Sequence, residues 1–115
     1  MFAVSLIAVA FAAAAPIPTK AEPRAPLAHY VSTADYPPAA LRNREQGRVA
    51  FALGIGADGR VNACRITASS GSAALDSATR RIMRSRARYT PATDMRGMPV
   101  PDADVGELNW TLPRD

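Results

Sequence analysis

Arg48 to Gly56 reads RVAFALGIG, in which Val49, Phe51, Leu53 and Ile55 alternate with Arg48, Ala50, Ala52 and Gly54. A period of two sustained over this length commits the chain to a strand with one buried face. Asp58-Gly59 follows at once and is the strongest short signal for a hairpin turn. The chain therefore doubles back, and Arg60 to Ser69 supplies a second strand with Cys64, Ile66 and Ala68 on one face. Val61 falls out of phase with those three, which predicts a bulge or a late start to regular pairing.

The flanking segments must cover that sheet. Tyr36-Pro37-Pro38 ahead of Ala39-Ala40-Leu41-Arg42 opens a helix with proline in the first turn, where no amide is needed. Gln46-Gly47 stops it early. Ser69-Ser70-Gly71-Ser72 is a turn and N-cap cluster, with Asp76 in the first turn that follows. From Ala73 to about Arg88 the period is helical. Leu75, Ala78, Ile82, Ser85 and Tyr89 form one stripe, and Arg80, Arg81, Arg84, Arg86 and Arg88 occupy the rest. Pro91 forbids continuation. After a polar loop through Asp94, Gly97 and Pro101, the last strand runs from Val105 to Leu112, with Leu108, Trp110 and Leu112 facing one way. The order α-β-β-α-β predicts an α+β fold, a three-stranded antiparallel sheet packed against a short and a long helix.

The N-terminus is of a different kind. Met1 to Ala15 carries no charge and, as a helix, would reach only ~22 Å, short of the ~30 Å hydrocarbon core. That length suits the apolar region of a secretory signal peptide, with Ala12 and Ala14 as the small residues before cleavage. The fit lacks a basic residue before the run, and Pro16 crowds one cleavage point. The expectation is an exported protein with residues 1–15 removed; the alternative is an uncleaved membrane anchor. Pro16 to Pro26 holds four of the 10 prolines, shows no hydrophobic period and reads as an extended tether that continues to about Val31. Residues 32–115 are then the folded domain.

Composition excludes several chemistries. One cysteine in 115 residues leaves no disulfide within the chain, and one histidine leaves no multi-histidine metal site. His29 is the sole histidine, and a Pro-flanked tether cannot hold it against Ser69 or Ser70 as a catalytic base. Asp94, Asp102 and Asp104 share a loop without a second feature for acid–base or calcium chemistry. The net charge of +4 and the arginine helix are read as a solvated face, and export argues against nucleic acid. No enzyme, metal or cofactor is expected. Cys64 reads as a small buried apolar residue, and Trp110, in phase with Leu108 and Leu112, reads as core. Tyr36 either staples the first helix or faces a partner.

Several of these pieces together resemble a known family. Tyr36-Pro37 before the first helix, Gly47 ahead of the first strand, and Asp58-Gly59 in the hairpin are three of them. Ser69-Ser70-Gly71 with Leu75-Asp76 opening the long helix, Arg88-Tyr89-Thr90-Pro91-Ala92 closing it, and Gly97-Met98-Pro99-Val100 before the last strand complete the set. In this order they resemble the C-terminal domain of TonB, the periplasmic energy transducer of Gram-negative bacteria, over about Ser32 to Pro113.

The resemblance implies a binding domain that accepts a short extended segment of an outer-membrane transporter beside its last strand, by strand addition. It also implies the periplasm for the cleaved protein and the inner membrane, facing the periplasm, for the anchored one. The edge would present Val105, Glu107, Asn109 and Thr111, and Thr33, Ala34, Asp35 and Tyr36 would lie near the receptor. The glutamine that some members carry before Tyr36 is absent. The apolar run lacks the histidine of full transducers, and a tether of at most ~50 Å is shorter than their periplasmic spacer. Arg80 stands where the resemblance implies a cysteine partner for Cys64 in some relatives. Self-pairing through the edge is the other partner expected. The alternative function is a periplasmic scaffold that reuses the fold, binds another envelope protein or the cell wall, and is not coupled to the proton-motive force.

Overall fold

The structure is a computed structural model and describes residues 16–114. The expected leader or anchor, residues 1–15, lies outside the described residues. Strand β1 (Glu22–Pro23) is followed by two 3-10 turns, Leu27–Tyr30 and Thr33–Asp35, then helix α1 (Pro38–Arg42) and strands β2 (Gly47–Ile55) and β3 (Val61–Ala68). Helix α2 (Ala73–Arg86) leads through the short strands β4 (Tyr89–Thr90), β5 (Ala92–Thr93) and β6 (Pro99–Val100) to β7 (Asp102–Trp110). The main sheet has the order β3-β2-β7 and is antiparallel throughout. This is the α+β fold expected, with both helices on one face of the sheet.

The alternation in β2 is realised directly: Val49, Phe51, Leu53 and Ile55 are all buried. The bulge predicted near Val61 is present. Gly54 faces Ala63 while Ile55 faces Val61, so Asn62 is the extra residue and Val61 returns to the core face. A second shift leaves Thr67 unmatched between Ile66, opposite Phe51, and Ala68, opposite Ala50. It turns Ala68 off the face of Cys64 and Ile66, where the alternation had placed it, and exposes it.

Helix α2 supplies the opposing layer. The Ser72 side chain caps it by accepting from the Leu75 amide at 3.2 Å. Its buried residues are Leu75, Ala78, Thr79, Ile82 and Met83. Ser85, assigned to this stripe by period, is exposed and donates its hydroxyl to the Arg81 carbonyl at 2.8 Å. The helix ends two residues before Arg88, because Ala87 takes an extended conformation and aims Tyr89 inward as the first residue of β4. Gly59 permits that return: its φ is +81°, and a Cβ there would stand 2.2 Å from the Tyr89 carbonyl oxygen.

The largest departure concerns the stretch read as a tether. Residues 19–31 are docked on the domain. Thr19 bridges to Thr93, β1 pairs with β4, and Ala21 is buried in the core. Leu27, Tyr30 and Val31 pack against the same cluster. The prolines break helical and strand periods here, but they leave the intervening amides free to pair, as Thr19 and Arg24 do with the Thr93 and Arg88 carbonyls. Strand β7 begins three residues before Val105 and ends at Trp110, so Leu112 lies beyond it, half-buried, with its amide donating to the Gln46 side chain at 3.2 Å. Among the described residues, no helix is long and apolar enough to cross a membrane.

Candidate binding groove at the edge of strand β7

Among the described residues, strand β7 pairs on one side only, with β2. Which of its backbone groups point outward follows from alternation. The Gly56 amide donates to the Arg60 carbonyl, toward β3. Even-numbered residues of β2 therefore bond to β3, and the odd-numbered ones bond to β7. Those odd residues stand opposite even residues of β7: Gly47 opposite Trp110, Val49 opposite Leu108, Phe51 opposite Gly106. The Leu112 amide, directed at Gln46, obeys the same parity. Val105, Glu107 and Asn109 consequently present their N–H and C=O groups at the open edge.

A groove of about 230 Å³ runs beside the downstream half of that edge, between Leu108–Thr111 and the segment Ala28–Tyr36. Ala28, Val31 and Leu108 give it apolar lining. Its two walls are held in three places. Tyr36 is buried, donates its hydroxyl to the Glu45 carbonyl, and sets its ring against Trp110. Trp110 Nε1 donates to Thr79 Oγ1 at 2.9 Å, and Thr79 donates in turn to the Leu75 carbonyl at 2.8 Å. Asp35 receives both guanidinium nitrogens of Arg86, at 2.7 and 2.8 Å, and Arg86 also donates to the Tyr30 carbonyl. Bidentate pairing with Arg86, joined by the Ser32 amide, holds the Asp35 carboxyl well below the usual carboxylate range. Burial, and then the Glu45 charge, push the Tyr36 phenol upward.

Of the eight residues expected to meet a partner, Thr33, Tyr36, Asn109 and Thr111 line this one groove. Glu107 adjoins it through its outward amide, and Ala34 is exposed beside it. Val105 is 75% exposed but lies upstream of the groove. Asp35 is committed to Arg86 and acts on the groove through the fold of its wall. The Tyr36 ring belongs to the core, and one side of it lines the groove. Cys64 is half-buried and free, and burial raises its thiol pKa against the opposing charges of Arg80 and Arg84.

Sequence reasoning missed Ala28, Val31 and Ser32 as groove wall. A signal that this segment docks was there: Leu27, Tyr30 and Val31, which pack on the core, recur at helical spacing after the last proline of the stretch. Gly106 was missed as well. A Cβ at that position would meet Leu27 Cδ1 at 2.7 Å and Phe51 Cε2 at 2.9 Å, so glycine there makes room for the docked segment.

The sequence model of the family described as Gram-negative bacterial TonB protein C-terminal matches residues 32–103. The match covers more than half of the 115-residue chain and ends inside β7, ahead of the groove-lining residues of that strand. No curated protein matches the chain. The family comprises periplasmic interaction domains, linked to TonB-dependent transport, whose members interact with outer-membrane receptors. The chain belongs to this family, the C-terminal domains of Gram-negative bacterial TonB proteins.

Proposed function

We propose that this domain binds an extended peptide segment of an outer-membrane transporter by adding it as a fourth strand along Glu107–Thr111. The observation that carries the reading is a coincidence of two features. Outward amides at Glu107 and Asn109 have no hydrogen-bond partner among the described residues, and the groove lies directly beside them. A peptide backbone laid there gains a ladder from the open edge. Its alternate side chains fall over Ala28, Val31 and Tyr36, so backbone pairing gives affinity and the groove gives preference for small apolar side chains. Thr33 and Tyr36 act by shape, and Asp35 acts by fixing the wall through Arg86. Glu107, Asn109 and Thr111 keep the opposite face of the edge polar, which keeps the empty domain soluble. The reading places the working domain in the periplasm after removal of residues 1–15.

Proline at position 109 tests it. Asn109→Pro deletes one outward donor and disturbs no bond to β2, because that amide faces away from the ladder. Asn109→Ala keeps the amide and is the control. N-terminal segments of TonB-dependent transporters are expected to bind wild type and Asn109→Ala alike, and to bind Asn109→Pro at least tenfold more weakly. Equal binding by a folded Asn109→Pro variant would move the site away from this edge. Absence of binding to all three proteins would favour the scaffold reading instead.

A further inference from the structure

The outer edge of β7 is not uniform along its length. Upstream of Glu107 the outward amides belong to Ala103 and Val105, and both are already engaged. The Ala103 amide donates to Asp102 Oδ1 at 2.8 Å, and the Val105 amide donates to Asp104 Oδ1 at 2.9 Å. Each carboxylate is also held by its second oxygen. Asp102 Oδ2 accepts from the Ala21 amide at 2.9 Å, and Asp104 Oδ2 accepts from the Tyr89 hydroxyl at 2.7 Å.

The register explains how two acids come to sit there. Asp104 stands opposite Leu53 and Asp102 opposite Ile55, in phase with Leu108 and Trp110. Their side chains therefore leave the strand on the helix-covered face. Beyond Gly106 that face is taken by Leu108 and Trp110, but upstream it holds Tyr89 and the docked residue Ala21. A carboxylate between such donors and its own neighbour's amide satisfies both. The same arrangement blunts a sheet edge by placing a charged group on an inward-facing position.

We infer that Asp102 and Asp104 close the upstream half of the β7 edge and confine an added strand to Glu107–Thr111, so that they determine the length and register of the segment bound. The inference rests on the strand-addition reading above. A partner carbonyl approaching Ala103 or Val105 meets an amide whose proton is already given away and, behind it, a negatively charged oxygen. Downstream, the Glu107 and Asn109 amides carry no such guard. The occupant is then a segment of about five residues whose backbone pairs with Glu107 and Asn109, with no proline at the residues that supply those pairs. Extending such a segment past Glu107 gains no bond from the Val105 or Ala103 amide, so the ladder there loses its donors and keeps only the two outward carbonyls.

Hydrogen exchange on the full chain reads the caps without any partner. The Ala103 and Val105 amides are expected to exchange at least tenfold more slowly than those of Glu107 and Asn109. In Asp104→Ala the Val105 amide is expected to rise to the Asn109 rate. Five- and nine-residue forms of one transporter N-terminal segment then test confinement. Both are expected to bind wild type within about twofold. The nine-residue form is expected to bind Asp102→Ala/Asp104→Ala about tenfold tighter than wild type, the gain of two net hydrogen bonds. Equal exchange at all four wild-type amides overturns the inference. So does tenfold tighter binding of the longer form to wild type, with shifts at Ala103 and Val105. If neither form binds either protein while Ala103 and Val105 stay protected, the strand-addition reading falls and the capped edge stands.

Discussion

Tyr36 and Trp110 meet edge to face, with ring centroids 5.4 Å apart and planes at 89°. The contact joins the wall of the groove to the end of the edge strand, so groove width depends on the core beneath it. Replacing Tyr36 by alanine removes a buried ring and is expected to cost about 3–5 kcal/mol. Tyr36→Phe keeps the ring, loses the bond to the Glu45 carbonyl, and is expected to cost about 1 kcal/mol. Urea unfolding followed by the fluorescence of the single tryptophan separates the two.

The indole of Trp110 depends on a hydroxyl inside helix α2. Thr79 is fully buried and accepts from Trp110 Nε1. Thr79→Val keeps the shape and strands the indole donor, at an expected cost of about 1–3 kcal/mol. Combined with Trp110→Phe, the same change strands nothing. The double variant is therefore expected to be more stable than the sum of the two single effects predicts, as measured by the same unfolding experiment.

The Asp35–Arg86 pair makes the groove wall sensitive to acid. The carboxyl titrates lower in the folded chain than its ordinary value of 3.8, so its contribution is complete above that pH. It is lost progressively as pH falls below it toward the depressed folded value. Amide protection of residues 30–36 is expected to weaken over that interval. In Asp35→Asn the protection is expected to be lower at neutral pH and flat across the same range. An unchanged wild-type profile down to pH 2 would mean that the pair does not hold the wall.

Gly106 tests how firmly the proline-rich stretch is docked. Gly106→Ala places a methyl group against Leu27 and Phe51. The expected cost is about 1–3 kcal/mol, with faster amide exchange through Leu27–Val31 than in wild type. Leu27→Ala in the same background relieves the closest clash and is expected to recover part of the loss.

The main sheet was legible because its signals are local. Alternation in β2, the Asp58-Gly59 turn and the Ser72 cap each act within a few residues, and even the Asn62 bulge showed as a break in phase. The opposite holds for residues 19–31. Their order comes from partners far along the chain, Ala21 from Asp102 and Arg24 from Arg88, and no window around the prolines contains those contacts. Ser85 was misplaced for a related reason: a helical stripe broad enough to include Thr79 and Met83 is set by the sheet beneath it. The open edge could be named from the resemblance, but its division into a guarded and a bare half depends on the parity of β2 pairing. Asp102 and Asp104 read in sequence as loop acids because the strand was expected to start only at Val105.

The central claim is that a partner segment joins the sheet at Glu107–Thr111 beside the groove, and an NMR titration of the full chain with transporter N-terminal segments tests it most directly. Shift changes concentrated on Glu107, Asn109 and Thr111, with a second group at Val31, Thr33 and Tyr36, are the result expected. Saturable shifts centred instead on the arginine-bearing face of α2, with the β7 edge unmoved, would contradict the account.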